Sequence, residues 1–356
     1  MNKQKRILVT GGGGYIGTHV VEQLLKRKNK VRIYDQLVFG RKPLADLEKN
    51  PNLEIIKGEL SDLYKLSLAL KDVDEVVHLA GLVGDPACDI DKDFTIHMNV
   101  VSTKIIKELA KSFAIKKFIF ASSCSVYGTS ETLVDETSRL HPVSLYAKTK
   151  IDSERELLND VSGNFHPVIL RFATVFGHSR RPRFDLVANF FTAQAYNDGL
   201  ITVTGSTQWR PFIHASDIAR AIAKVSEASF KLVDRQIYNV GDSSLNYTIG
   251  DLASLIAGII KKNTKGNNVK IQINDNPYDT RNYKVSFNKI RQKLGFKAKV
   301  SLKDGIYEIY DSFRKGIYKK HYRHPMYSNL EMTKLMHREY CSVAAKNETQ
   351  PPLSLA

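Results

Sequence analysis

Tyr146 and Lys150 stand four residues apart in the run Tyr146-Ala147-Lys148-Thr149-Lys150. On a helix such a pair shares one face, so a phenol and an ammonium lie side by side. A cation beside a phenol favours the phenolate, which can take a proton from an alcohol. Ser123 follows the apolar run Lys117–Ala121, at the point where a parallel strand would open into a ligand crevice. Its hydroxyl could bridge a substrate hydroxyl and Tyr146. The chemistry these three residues suggest is proton transfer at a secondary alcohol, and each needs an element to hold it.

A second group of residues can hold an anion. Val9-Thr10 leads into Gly11-Gly12-Gly13-Gly14-Tyr15-Ile16-Gly17, and a helical pattern follows at once. The spacing that matters is Gly11, Gly14, Gly17. Glycine permits the tight turn and lets backbone N–H groups approach a pyrophosphate, to which the helix N-terminus adds its positive end. Asp35 closes the next apolar run, 18 residues after Gly17. A carboxylate there would accept hydrogen bonds from both ribose hydroxyls of an adenosine and repel a 2′-phosphate, which favours NAD over NADP. Arg32 and Arg41 nearby are the counter-signal.

The elements that must position these groups are legible in the first half. Arg6–Thr10, Lys30–Tyr34, Leu53–Lys57, Glu75–Leu79, Lys117–Ala121 and Pro167–Leu170 are short apolar runs that read as buried strands. Helical spacing separates them, as in Ile16, Val20, Val21, Leu24, Leu25 and in Val101, Ile105, Ile106, Leu109, Phe113. Such alternation implies βαβ units: an α/β fold with a Rossmann-type, doubly wound parallel sheet. After Arg171 the rhythm breaks. Helices are expected near Ser216–Ala228 and Ile249–Lys262. Thr248 with Asp251, and Ser301 with Asp304, read as helix caps. The expected division is a dinucleotide-binding domain over 1–175, a smaller mixed α/β substrate domain over 176–330 with some exchange of strands and helices between the two, and a tail over 331–356. From about Asn347 the tail reads as frayed.

Composition excludes several classes. The 356 residues are 42% hydrophobic and 25% charged, as in a globular protein. No apolar run reaches the ~18 residues that span a bilayer. The start offers too short an apolar stretch for a signal peptide, so a cytoplasmic protein is expected. Three scattered cysteines, Cys88, Cys124 and Cys341, give no disulfide framework, and without C-x-x-C or H-E-x-x-H no metal site is expected. The net charge of +16 is dispersed along the chain and reads as a solvated basic surface, with no nucleic-acid or membrane partner expected.

Thr10–Gly17 (TGGGGYIG), His78–Gly81 (HLAG), Ser122–Gly128 (SSCSVYG) and Tyr146–Lys150 (YAKTK) resemble the extended short-chain dehydrogenase/reductase superfamily. Within it they look most like the NAD-dependent nucleotide-sugar epimerase/dehydratase branch, over roughly residues 5–315. The resemblance implies a cofactor site of Gly11, Gly14, Tyr15, Ile16, Gly17, Asp35, Glu59, Leu60, Leu79, Ala80, Gly81 and Asn99. It implies a catalytic trio of Ser123, Tyr146 and Lys150, in which Tyr146 and Lys150 also touch NAD. Arg210, in QWRPFIHASDIARA, and Arg281, in YDTRNYKVSFNKI, resemble arginines that bind a substrate diphosphate. Asp85 falls in a stretch, Val83–Cys88, that resembles a substrate loop.

The same resemblance separates activities. The sugar 4,6-dehydratases of this branch carry Asp-Glu at the positions held here by Cys124 and Ser125, and the decarboxylases carry Glu at the second. Neither carboxylate is present, which disfavours both. Cys124 sits one residue from where the 3,5-epimerases place a reactive cysteine and reads as a small buried residue. The implied function is C4 chemistry on a nucleotide-diphosphate sugar by a homodimer, foremost a hexose 4-epimerase. The alternatives are a 4-dehydrogenase or 4-ketoreductase, since Arg171–Phe191 resembles a bacterial subgroup of polysaccharide sugar enzymes that includes GDP-heptose 4-dehydrogenases. Last comes a non-catalytic NAD-binding regulator, which the intact trio argues against. Arg180, Arg181 and Arg183 are either anion contacts or a plain basic loop.

Overall fold

Buried apolar runs in the first half pair side by side because strands covered on both faces carry near-continuous Val, Ile and Leu. In the computed structural model, which describes residues 4–159, 163–264, 268–274 and 279–348, the strands in chain order are β1 (Arg6–Thr10), β2 (Lys30–Asp35), β3 (Leu53–Lys57), β4 (Glu75–His78), β5 (Lys117–Ser123), β6 (Thr129–Val134) and β7 (His166–Phe172). They continue as β8 (Thr174–Phe176), β9 (Leu200–Thr204), β10 (Trp209–His214), β11 (Gln236–Val240), β12 (Asn246–Thr248), β13 (Lys270–Asn274) and β14 (Asn282–Val285). The main sheet has seven strands in the order β11-β7-β5-β4-β1-β2-β3, every neighbouring pair parallel. The chain winds outward from β1 to β3 and then returns to place β4 on the other side of β1. A crevice opens beyond the strand ends at such a reversal. The glycine loop after β1, Leu79–Gly81 after β4 and Ser123 at the end of β5 all lie at that edge.

Helices cover both faces. The helix Gly17–Lys26 buries Val20, Val21, Leu24 and Leu25 on one face, packed beside the helix Ala215–Glu227. On the other face Leu66, Leu70, Ile106 and Ala110 pack against Phe118 and Phe120. The second half builds its own core from Phe176, Phe212, Ile249, Leu252, Ile256, Ile306 and Tyr310. Three small sheets accompany it among the described residues, β12-β10-β8, β13-β9 and β14-β6, the last joining β14 to β6 of the first half. The caps expected at Thr248 and Ser301 form: each side chain accepts the backbone N–H three residues on, at 3.0 and 3.1 Å.

Two further features depart from the linear division of the sequence. The edge strand β11 and the helix Ala215–Glu227 come from the second half but complete the sheet and helix layer of the first. The stretch assigned to a tail contains the helix Asn329–Glu348; the rest of it, 349–356, lies outside the described residues. Among the described residues no helix is long and apolar enough to cross a membrane.

Candidate active site

The crevice above the sheet is lined by Gly11, Gly14, Tyr15, Ile16, Gly17, Asp35, Glu59, Leu60, Leu79, Ala80, Gly81, Tyr146 and Lys150. The fold therefore brings the glycine loop and the Tyr-Lys pair to one cleft. The loop is built for close approach. Gly11 takes φ +74°, and a Cβ there would meet the Ala80 nitrogen at 2.8 Å. A Cβ on Gly17 would collide with the Gly11 carbonyl oxygen. Asp35 accepts the backbone N–H groups of Gly13 at 2.8 Å and Leu37 at 2.7 Å, which fixes its carboxylate at the end of β2. Burial raises its pKa, while those two N–H groups pull it back. Arg32 and Arg41 are occupied by Glu54 and Glu48, both at 2.7 Å. A glycine cradle, an anchored carboxylate and a buried guanidinium nitrogen without a partner, Arg181 Nε, together fit an anionic dinucleotide.

Tyr146 and Lys150 lie on the helix Leu145–Leu158, opened by Ser144, whose hydroxyl accepts the Ala147 N–H at 3.2 Å. The Lys150 Nζ lies 5.7 Å from the centre of the Tyr146 ring and donates to the Ala121 carbonyl at 2.8 Å. Burial pushes its pKa down to about 8, against the pull of Cys88 and Glu154. Burial pushes the Tyr146 phenol up, with Cys88 and Asp85 adding to it; a hydrogen bond with Ser123 and the charge of Arg183 oppose. The sequence leads one to expect a lowered phenol. In the structure desolvation outweighs the opposing charge of Arg183, a second cation that lines the cleft.

Cys124 and Ser125, the positions expected to separate activities, are both buried. The Cys124 thiol sits in the core against the Arg171 carbonyl at 3.3 Å, and burial raises its pKa. The Ser125 hydroxyl is buried without a hydrogen-bond partner.

The two arginines of the second half converge. Arg210 and Arg281 share Asp279, at 3.0 and 2.5 Å, and Arg281 also reaches Asp85 at 3.0 Å. Asp85 in turn accepts the Ser144 hydroxyl at 2.7 Å, which ties this cluster to the start of the Tyr146 helix. Burial raises the Asp279 carboxyl, but Arg281 and Arg210 outweigh it and hold it below the usual range.

Asn99 stands apart from this convergence. Its side chain bonds the Leu82 backbone at 2.8 and 3.0 Å and the Thr149 hydroxyl at 3.1 Å, from behind the cleft wall. Arg181 and Arg183 of the basic loop also reach the cleft, as do residues that the sequence reading did not name: Phe39, Asn329, Met332, Thr333 and Met336. The basic loop divides three ways. Arg180 pairs with Glu22 at 2.9 Å, Arg181 stacks on Phe39, and Arg183 grips Asp185 at 2.8 and 3.0 Å. The spacing of Asn329, Met332, Thr333 and Met336 is a helical stripe and was the available signal.

A model of the NAD dependent epimerase/dehydratase family matches residues 7–241. The chain is 26% identical over 325 residues to a dTDP-D-glucose 4,6-dehydratase of Mus musculus, covering 88% of this chain and 90% of the relative. It is 27% identical over 276 residues to a UDP-glucose 4-epimerase of Lactobacillus helveticus, covering 71% and 82%. The solved structure of UDP-glucuronic acid 4-epimerase from Bacillus cereus, in complex with UDP-glucuronic acid and NAD, is 27% identical and superposes with a TM-score of 0.78 over 87% of this chain and 99% of that one.

Proposed function

We propose, for a chain that belongs to the NAD dependent epimerase/dehydratase family, an NAD-dependent oxidoreduction at C4 of a nucleotide-diphosphate sugar whose net outcome is 4-epimerisation. The observation that carries this reading is the composition of the β5 end. Tyr146 lines the cleft beside the β5 end that carries Ser123, while the next two positions hold a core thiol and a buried hydroxyl in place of an acid–base pair. Chemistry is thereby confined to one alcohol carbon, and the likeness to a 4,6-dehydratase extends to fold and cofactor rather than to dehydration.

Bound NAD supplies the hydride acceptor and donor. Tyr146 takes the C4 hydroxyl proton and later returns one; Ser123 orients that hydroxyl. A buried phenol holds its proton, so Lys150 and Arg183 supply the charge that favours phenolate. Arg210 and Arg281 exchange Asp279 and Asp85 for the diphosphate oxygens, using charge-assisted hydrogen bonds of the same geometry. Anchored at its diphosphate, the sugar turns to present its other face. Residues 1–175 carry the cofactor side and 176–330 the substrate side, and a homodimer in the cytoplasm is the assembly and location this reading adopts.

The test is incubation with UDP-, GDP-, dTDP- and CDP-hexoses, followed by NMR of the anomeric protons. The C4 epimer should appear without net NADH. NADH accumulating with a 4-keto product would replace the epimerase by a net 4-dehydrogenase.

A further inference from the structure

The helix Asn329–Glu348 lies past residue 315, beyond the part of the sequence that carries the family resemblance. The Bacillus cereus epimerase is covered over 99% of its length by 87% of this chain, so this chain has residues to spare. The helix returns to the glycine-loop cleft. Asn329, Met332, Thr333 and Met336 follow i, i+3, i+4, i+7 spacing, share one face, and all four line it. Leu335, on another face, is 40% exposed.

The helix is fastened where it stands. The Asn329 N–H donates to Asp185 at 2.8 Å, and Arg181 Nη2 donates to the Asn329 side-chain oxygen at 2.6 Å. Just before it, Tyr327 joins an aromatic cluster with Phe184, Phe313 and Tyr318. Arg181 is the bridge to the cofactor side. Its guanidinium lies 3.4 Å from the centre of the Phe39 ring, just past Asp35, and the residue is 2% exposed. Its Nε is buried without a hydrogen-bond partner. A guanidinium N–H so placed leaves a desolvation cost that only an acceptor relieves, and an anionic oxygen relieves it best.

We propose that the C-terminal helix is a cofactor-retaining wall: Met332 and Met336 cover the bound dinucleotide, and Arg181, held by Asn329 and Phe39, donates its free Nε to an anionic oxygen of that dinucleotide, so that NAD stays bound between turnovers. The inference rests on the epimerase reading, because an enzyme that must return the same hydride gains from a cofactor that does not exchange. It goes beyond that reading by giving this task to a segment outside the family-like core.

The experiment uses the full chain loaded with NAD and freed of excess nucleotide by gel filtration. NAD remaining on the protein is then followed by chromatography over time, with no sugar present. Arg181→Met puts an unbranched apolar chain in place of the guanidinium and removes the donors; it should release NAD about tenfold faster or more, the factor a lost charge-assisted hydrogen bond implies. Met332→Ser with Met336→Ser should also speed release, while Leu335→Ala should match the wild type. As a second readout that needs no variant, adding NAD to the wild-type protein should slow amide hydrogen exchange in 329–338. Wild-type release rates in both lining variants, or exchange in 329–338 indifferent to NAD, would overturn the proposal. Because release is read without substrate, a failed epimerase assignment and a failed retaining wall give different results.

Discussion

Two charged clusters flank the cleft, and they are built on opposite plans. Behind the Tyr146 helix, Glu154 and Arg171 form a closed pair, with side chains 4% and 3% exposed. Arg171 donates to both Glu154 oxygens at 2.9 and 2.6 Å and to the Tyr127 hydroxyl at 3.0 Å. Ser122 donates to Glu154 at 2.5 Å, and the Tyr127 hydroxyl donates to the Asn239 side-chain oxygen at 2.8 Å. Such a network has nothing to exchange, and it locks the helix bearing Tyr146 and Lys150 to β5, β7 and β11. At the other end, Arg210, Arg281, Asp279 and Asp85 form an open cluster, in which Asp279 is 42% and Arg281 25% exposed. These carboxylates hold the guanidinium groups apart and charged, and a diphosphate can take their place. A buried, fully used pair fixes a position; a half-open one keeps a position ready for a ligand.

The largest expected effect tests the closed cluster. Glu154→Ala leaves Arg171 buried and unpaired and should cost about 3–5 kcal/mol in denaturant unfolding, the range for removing one partner of such a pair. A loss near zero would mean the network is not closed. Asp279→Ala removes a carboxylate that is itself 42% exposed, while Arg281 keeps Asp85 and the buried Arg210 keeps the Trp209 carbonyl, so it should cost less, about 1 kcal/mol, by the same measurement.

Next in size is chemistry at the helix that the closed cluster holds. Tyr146→Phe keeps the ring and should lower turnover by about 10²-fold or more with little change in substrate affinity. Near-normal turnover on the identified sugar nucleotide would sink the mechanism. The pH profile sharpens this. Lys150, pushed down to about 8, carries its charge below that pH and loses it above, so support for the phenolate and with it turnover should fall as pH passes about 8. In Lys150→Met that falling limb should vanish, at a lower turnover throughout.

The open cluster should show a different signature. Arg210→Ala and Arg281→Ala should each weaken substrate binding by about 1.5–3 kcal/mol in titration calorimetry, with NAD affinity unchanged. A variant that weakens NAD alone would move that arginine to the cofactor side. A smaller effect is expected at Asp35, where Asp35→Ala should narrow the preference for NAD over NADP by about 1–2 kcal/mol in paired titrations.

The parts of this site that were legible in the sequence are local ones. The glycine spacing, the strand-end Asp35 and the i, i+4 pair of Tyr146 and Lys150 each lie within one turn or one helix, so spacing alone sets their geometry. The parallel sheet was legible for a similar reason, because strands buried on both faces must be apolar throughout. The place of Arg183 in the cleft was not: the sequence leaves it open between an anion contact and a plain basic loop, since its approach depends on how the loop after β8 crosses the cleft. Nor was the retreat of Asn99 behind the cleft wall, which follows from its bonds to Leu82 and Thr149 on two separate elements.

The sequence by itself determined the α/β architecture, the dinucleotide loop and the phenol-ammonium pair, because propensity, periodicity and short-range spacing act within a few residues. Tertiary structure alone decided that desolvation lifts the Tyr146 phenol, that β11 and the helix Ala215–Glu227 complete the first half's layers, and that the helix from Asn329 closes on the cleft. Those outcomes depend on which distant surfaces exclude water from one another, and exclusion of water is a property of the packed chain that no spacing along it encodes.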